Sequence, residues 1–236
     1  MKIFVANHKN YMDNDEMIKY INHFKKYEQR KNIIICPSSI YLSMFKETFL
    51  NIGSQDFDLK CPMNGGISLK QLTSLKIKYI IIGHSDNKKY KNEDSKLINK
   101  KLLKSLEKGF VPILCIGEDI NNINDSMNII KKQIDEFLED INYSLLKKII
   151  FAYEPVWAIS DGINKVDVSQ NINLKDIIKS IKLYLNEKYN LDSLVLYGGS
   201  VNKYNIDSLN DIDEIGGYLI GKSSTSIDEF DYIINS

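Results

Sequence analysis

Residues 149–157 read Ile149-Ile150-Phe151-Ala152-Tyr153-Glu154-Pro155-Val156-Trp157. Five apolar residues run without alternation, which suits a strand covered on both faces. A carboxylate follows at once. A lone Glu before Pro is ordinarily a solvated turn residue, but at the end of such a run, ahead of Pro155 and Trp157, it reads as functional.

The same unit recurs on both sides of this stretch. Short apolar runs occupy residues 3–6, 33–36, 52–55 (weakly), 79–83, 111–116, 194–197 and 218–221. Amphipathic stretches lie between them. Met17, Ile18, Ile21 and Phe24 recur at helix spacing behind Asp13 and Asn14, either of which can cap the start. Leu97, Ile98, Leu102, Leu103 and Leu106 form a second face, with Gly109 as its stop. Ile130, Ile134, Phe137 and Leu138 form a third; Ile177, Ile178, Ile181, Leu183 and Leu185 a fourth; Phe230, Ile233 and Ile234 the last. About eight strand–helix repeats mean a parallel sheet with crossover helices. An α/β class follows, as a closed (β/α)8 barrel forming a single domain over residues 1–236. An open doubly wound sheet is the rival, weakened because no Gly-rich dinucleotide fingerprint follows the first run.

Composition fits that reading. The chain has 236 residues, 43% hydrophobic and 26% charged, enough for one large core. Lys+Arg and Asp+Glu both total 31, so the basic surplus of a general nucleic-acid binder is missing. Cys36, Cys61 and Cys115 follow no zinc-ligand or CxxC spacing and read as free thiols of a reducing compartment, with Cys36 and Cys115 buried. The start, MKIFVANHKN, is too short in apolar residues for a signal peptide, and no run approaches the roughly 18 residues of a membrane span. These features predict a cytoplasmic protein with no membrane partner.

In a parallel barrel the functional groups collect where strands end. The predicted tips carry Asn7, His8 and Lys9; Gly83, His84, Ser85 and Asp86; Gly117 and Glu118; Glu154; Gly198, Gly199 and Ser200; and Gly221, Lys222, Ser223 and Ser224. A carboxylate, an imidazole and an ammonium would thus share one ring with glycine turns, whose backbone N–H groups can approach an oxyanion closely. The last two turns match the usual phosphate site of such barrels. This set suits proton transfer beside the carbonyl of a small anionic substrate. Alternation along the first strand points His8 away and sets Lys9 on the side of Asn7. His23 reads as structural or solvated, and Glu93 and Glu118 as members of ionic networks.

At these tips the sequence resembles the triosephosphate isomerase family, along nearly its whole length. Ala152-Tyr153-Glu154-Pro155-Val156-Trp157-Ala158-Ile159 looks like the family's sixth-strand motif. Asn7-His8-Lys9, Ile82-Gly83-His84-Ser85, Pro112-Ile113-Leu114-Cys115-Ile116-Gly117-Glu118 and Tyr197-Gly198-Gly199-Ser200-Val201 agree in order and spacing. The resemblance implies a TIM barrel that interconverts dihydroxyacetone phosphate and D-glyceraldehyde 3-phosphate, in glycolysis and gluconeogenesis. It implies Glu154 as base, neutral His84 as electrophile, Lys9 stabilising negative charge and Asn7 supporting the oxyanion side. It makes Ser160, Gly199, Ser200, Gly221 and Lys222 the phosphate ligands beside Asn7 and Lys9, with Asp86, Ser85, Glu118 and Trp157 in support. Residues 157–162 would form a lid excluding water. No metal and no organic cofactor is implied, and the expected partner is a second copy of the chain.

The sequence departs from the family at four places. Asp86, Asn87 and Lys88 stand where the family usually has Glu-Arg-Arg, and Ser160, Asp161 and Gly162 where it has Gly-Thr-Gly. Gly221-Lys222 replaces two glycines. The loop over residues 56–66 looks short, with Asn64-Gly65-Gly66 in place of Thr-Gly-Glu. Gly66 and Asn87 remove a charge pair that would cross the family's dimer interface, so a homodimer with an altered interface at Asn64, Gly66 and Asn87 is expected. Two other functions remain open: an isomerase of another small sugar phosphate, and a diverged barrel that binds phosphorylated ligands without turnover.

Overall fold

The structure, a computed structural model, describes residues 1–156 and 174–236. Eight parallel strands close on themselves in sequence order: β1 (Ile3–Asn7), β2 (Ile33–Cys36), β3 (Asn51–Ser54), β4 (Tyr79–Ile82), β5 (Val111–Ile116), β6 (Ile150–Tyr153), β7 (Val195–Tyr197) and β8 (Gly217–Ile220). Closure comes from β1, which pairs with β2 through Phe4↔Ile33 and Asn7↔Cys36, and with β8 through Ile3↔Gly217 and Ala6↔Ile220. The open-sheet alternative is thereby excluded.

The unbroken apolar runs are explained by two cores. Val5, Ile34, Cys36, Tyr79, Ile81, Ile113, Cys115, Ala152, Leu196 and Leu219 fill the barrel itself. Their neighbours in the chain, such as Ile80, Ile82, Leu114, Ile116, Phe151 and Tyr153, point outward under the helices. Each strand therefore buries both faces, and each fully buried Ile or Phe side chain contributes about 1.5–3 kcal/mol.

The helices are α1 (Asn14–Phe24), α2 (Leu69–Ser74), α3 (Ser85–Lys91), α4 (Ser95–Glu107), α5 (Ser126–Leu138), α6 (Tyr143–Leu146), α7 (Leu174–Tyr189), α8 (Ile206–Asn210) and α9 (Ile227–Asn235). Asp13 caps α1 in a capping box with Glu16, and Met17, Tyr20, Ile21 and Phe24 form its buried face. Asp94 caps α4, and Gly109, at φ 84°, follows its end. The five long helices match the amphipathic stretches, although Ile18 and Leu183 are exposed. The short helices α2, α3, α6 and α8 have too few turns to show a periodicity and were not anticipated. Strand β3 begins at Asn51, one residue ahead of the weak apolar run, because Gly53 and Ser54 dilute its signal. Among the described residues, no helix is long and apolar enough to cross a membrane.

Cys36 and Cys115 are buried and Cys61 is exposed, all as free thiols. Asp231 joins α1 to α9, accepting from Tyr27 Oη at 2.8 Å and meeting His23 Nε2 at 3.0 Å. His23 is structural.

Candidate active site

The end of β1 is built by backbone strain and two amides. Asn7 closes the strand, buried, and its Oδ1 accepts the Lys9 N–H at 3.3 Å. Lys9 lies in the left-handed region, at φ 48°, a conformation that costs a non-glycine residue about 1–3 kcal/mol. Gln55 holds it there, donating from Nε2 to the Lys9 carbonyl at 2.8 Å and to the Cys36 carbonyl at 3.0 Å. Strand alternation, which the sequence reading takes to set the direction of Lys9, does not do so; the strand has already ended at Asn7, and this turn redirects the chain. His8 does point away, fully buried against Tyr20 with ring centroids 4.5 Å apart. Burial without a partner pushes its imidazole down to about 3, so it is neutral.

His84 is the N-cap of α3. Its Nδ1 accepts the Asp86 backbone N–H at 3.1 Å, and its carbonyl accepts from Asn87 N at 2.9 Å. A nitrogen that accepts a backbone N–H carries no proton. The other nitrogen, Nε2, is then the N–H, and it lies 3.3 Å from Glu154 Oε1. Glu154 follows β6, only 4% exposed, with its N–H anchored on the Ile116 carbonyl at 2.7 Å. Its Oε2 finds no hydrogen bond among the described residues. A buried carboxylate with one uncommitted oxygen facing an imidazole N–H is poised to exchange a proton with a third group.

An ammonium completes the row. Lys9 Nζ lies 2.9 Å from Asp86 Oδ2, and the same oxygen is 3.7 Å from His84 Nδ1. Lys9, Asp86, His84 and Glu154 thus form one continuous chain of polar contacts across the tips of β1, β4 and β6. Asp86 reaches Lys9 despite its short side chain. Two glycines let the neighbouring tips close around Glu154. A Cβ on Gly117, at φ 156°, would sit 2.0 Å from the Glu154 carbonyl oxygen, and one on Gly198 would sit 2.7 Å from Glu154 Cγ.

Nearly the whole chain, residues 2–236, matches the family model described as triosephosphate isomerase. The chain belongs to the triosephosphate isomerase family. Relatives bearing that name are 36% identical in Wigglesworthia glossinidia brevipalpis, covering 91% of this chain and 87% of that one. The Mycoplasma pneumoniae relative is 32% identical over 97% and 96% of the two chains, and that of Dictyoglomus thermophilum 34% identical over 100% and 99%.

Asn7, Lys9, His84, Asp86 and Glu154 lie together at these strand ends, with Ser85 as the first residue of α3. Glu118 accepts from Tyr153 Oη at 3.0 Å while its carbonyl accepts the Val156 N–H at 2.9 Å, so it braces the chain on both sides of Glu154. Glu93 is buried against Lys101, which also meets Asp56 at 2.6 Å. Gly199 and Ser200 form the turn after β7. Gly221 and Lys222 open a 3-10 turn, Lys222–Thr225, whose Ser224 Oγ donates to the Gly221 carbonyl at 2.7 Å. These turns lie on the rim strands next to β6 and β1. Trp157, Ser160 and the lid over residues 157–162 lie outside the described residues. Asn64 is exposed, Gly66 packs on Asp58, and Asn87 is buried in its own chain.

Sequence reading missed Gln55, placed at the end of a weak apolar run, and Lys88, seen only as a departure from the family. An amide after a strand is too common to stand out; only the positive φ at Lys9 gives Gln55 a task.

Proposed function

We propose that this chain interconverts dihydroxyacetone phosphate and D-glyceraldehyde 3-phosphate through an enediol(ate). Glu154 takes a proton from the carbon next to the carbonyl and returns it to the adjacent carbon. His84 donates its Nε2 N–H to the enediolate oxygens, Lys9 offsets the negative charge, and Asn7 supports the oxyanion side. This pairing of carboxylate and neutral imidazole is the family's own chemistry, carried onto these residues. The phosphate rests on the N–H groups of Gly199, Ser200, Gly221 and Lys222, closed over by Ser160, with Trp157 anchoring the lid. The chain acts as one barrel domain in the cytoplasm, with neither metal nor organic cofactor.

One observation carries the reading: the buried side chains of Glu154 and His84 bring Oε1 and Nε2 to 3.3 Å, with the Nδ1 proton displaced by a helix N–H. An imidazole N–H stabilises an oxyanion without surrendering a full proton, and in a water-poor site each such bond strengthens. A coupled assay in both directions with the two triose phosphates tests it. Turnover that Glu154→Asp strongly slows and Glu154→Gln nearly removes is the expected result. Tight phosphoglycolate binding without turnover would instead make the chain a diverged binder, and turnover of another sugar phosphate alone would change the substrate.

The working unit is a homodimer joined through the loops after β1 to β4. Tyr11, Ile40, Met63 and Tyr90 are exposed on those four adjacent connections. Without the Gly66–Asn87 charge pair the dimer is weakened, and sedimentation equilibrium finding it intact at nanomolar concentration would refute that weakening.

A further inference from the structure

Helix α3 carries a second polar group toward the base, from behind. Lys88 reaches inward across the top of β5, and its Nζ donates to the Cys115 carbonyl at 3.2 Å. The next carbonyl along β5, that of Ile116, accepts the Glu154 N–H at 2.7 Å. Consecutive peptide groups therefore hold an ammonium on one side and the backbone of the base on the other. The Cys115 side chain points into the barrel, and its thiol lies against the Glu154 carboxylate. The Phe137 ring of α5 packs 5.4 Å from the ammonium and closes its outer side.

We propose that Lys88 is a positioning residue for Glu154: it fixes the end of β5 through the Cys115 carbonyl and places a half-buried positive charge behind the carboxylate. The inference rests on Glu154 being the base. A lysine held this way loses hydration, and burial pulls its ammonium below the ordinary lysine range. Cys115, Glu154 and Glu93 act in the opposite direction, favouring the charged form. Glu93 is already engaged by Lys101. Among the described residues, the titratable groups facing Glu154 are the His84 imidazole, the Cys115 thiol and, one layer out, Lys88.

The two contributions separate by substitution. Lys88→Met removes both charge and hydrogen bond, Lys88→Gln keeps an N–H donor without charge, and Lys88→Arg keeps both. In Lys88→Met kcat falls about tenfold while KM stays within about twofold, because the base is displaced and substrate contacts are not. Loss of a nearby positive charge favours the protonated carboxyl, so the acidic limb of kcat moves to higher pH by about half a unit or more. Lys88→Gln keeps the shifted limb but recovers part of kcat, and Lys88→Arg restores both to within about twofold. A folded Lys88→Met with wild-type kcat and limb overturns the proposal, as does Lys88→Arg impaired as badly as Lys88→Met. Should Lys88→Met not fold, a Lys88→Gln with an unmoved limb is equally decisive. Glu154→Gln run beside them keeps the readings apart. If it retains turnover, both fall; if it abolishes turnover while the Lys88 variants are silent, only this inference falls.

Discussion

Two buried imidazoles stand at strand ends of the same barrel, His8 after β1 and His84 after β4, and their surroundings could hardly differ more. Neither ring nitrogen of His8 has a hydrogen bond among the described residues, and neither does the hydroxyl of Tyr20 beneath it. Phe24 and Phe230 complete that apolar seam between α1 and α9. His84 has a helix N–H on one nitrogen and a carboxylate against the other. Burial alone makes an imidazole neutral; only directed partners on both nitrogens make it an aimed donor. The first is held by apolar packing alone, the second by directed polar contacts.

The largest effect that tests this contrast comes from His84→Gln. Losing an oriented donor to an oxyanion lowers kcat about 10²–10³-fold, while loss of the α3 cap lowers the melting temperature by only a few degrees. A variant that keeps full turnover would put the two histidines on the same footing.

Next comes the acid response of the His8 pocket. The unfolded imidazole takes a proton below about 6.5, while the folded ring refuses it down to about 3. The unfolded state thus binds more protons in that window, so stability falls with falling pH, by up to about 1.4 kcal/mol per unit. Urea unfolding at pH 7 and at pH 4.5 should show wild type losing about 2–3 kcal/mol more than His8→Leu, whose side chain has similar volume and no titration. Equal losses would mean that the folded ring does accept a proton. At pH 7 the kcat of His8→Leu stays within about twofold of wild type.

Smaller still is Gly198→Ala. The added methyl, placed 2.7 Å from Glu154 Cγ, displaces the base and lowers kcat about tenfold, equivalent to about 1.4 kcal/mol. An unchanged kcat in the coupled assay would show that the carboxylate has slack. Smallest is Tyr20→Phe, which removes a buried hydroxyl lacking a hydrogen-bond partner and raises stability by up to about 1 kcal/mol in a denaturant melt. A marked loss there would reveal a bond to that hydroxyl.

The barrel was largely legible because burial on both strand faces writes itself as unbroken apolar runs, as in residues 79–82 and 111–116. The weakest run was the one with the fewest side chains to bury, at Gly53 and Ser54. Strand ends were read one residue out at several places because the apolar run and the hydrogen-bonded ladder stop at different atoms. Of the candidate site, Asn7, Lys9, His84 and Glu154 are legible by position at strand tips and by family resemblance. The reason Lys9 points as it does was not, since a positive φ leaves no mark on a lysine. Helix α3 was missed for being seven residues long, and with it went both the cap that fixes the His84 tautomer and the reach of Lys88.

By itself the sequence determined which residues are strands, which stretches are amphipathic, and which chemical groups stand at the tips, because those properties are local and repeat along the chain. Tertiary structure alone decided that Gln55 would restrain Lys9, that Asp86 would link Lys9 to His84, and that Lys88 would stand behind Glu154. Such contacts join groups dozens of residues apart, and only closure of the barrel sets the few ångströms on which an ionic or hydrogen-bonded interaction depends.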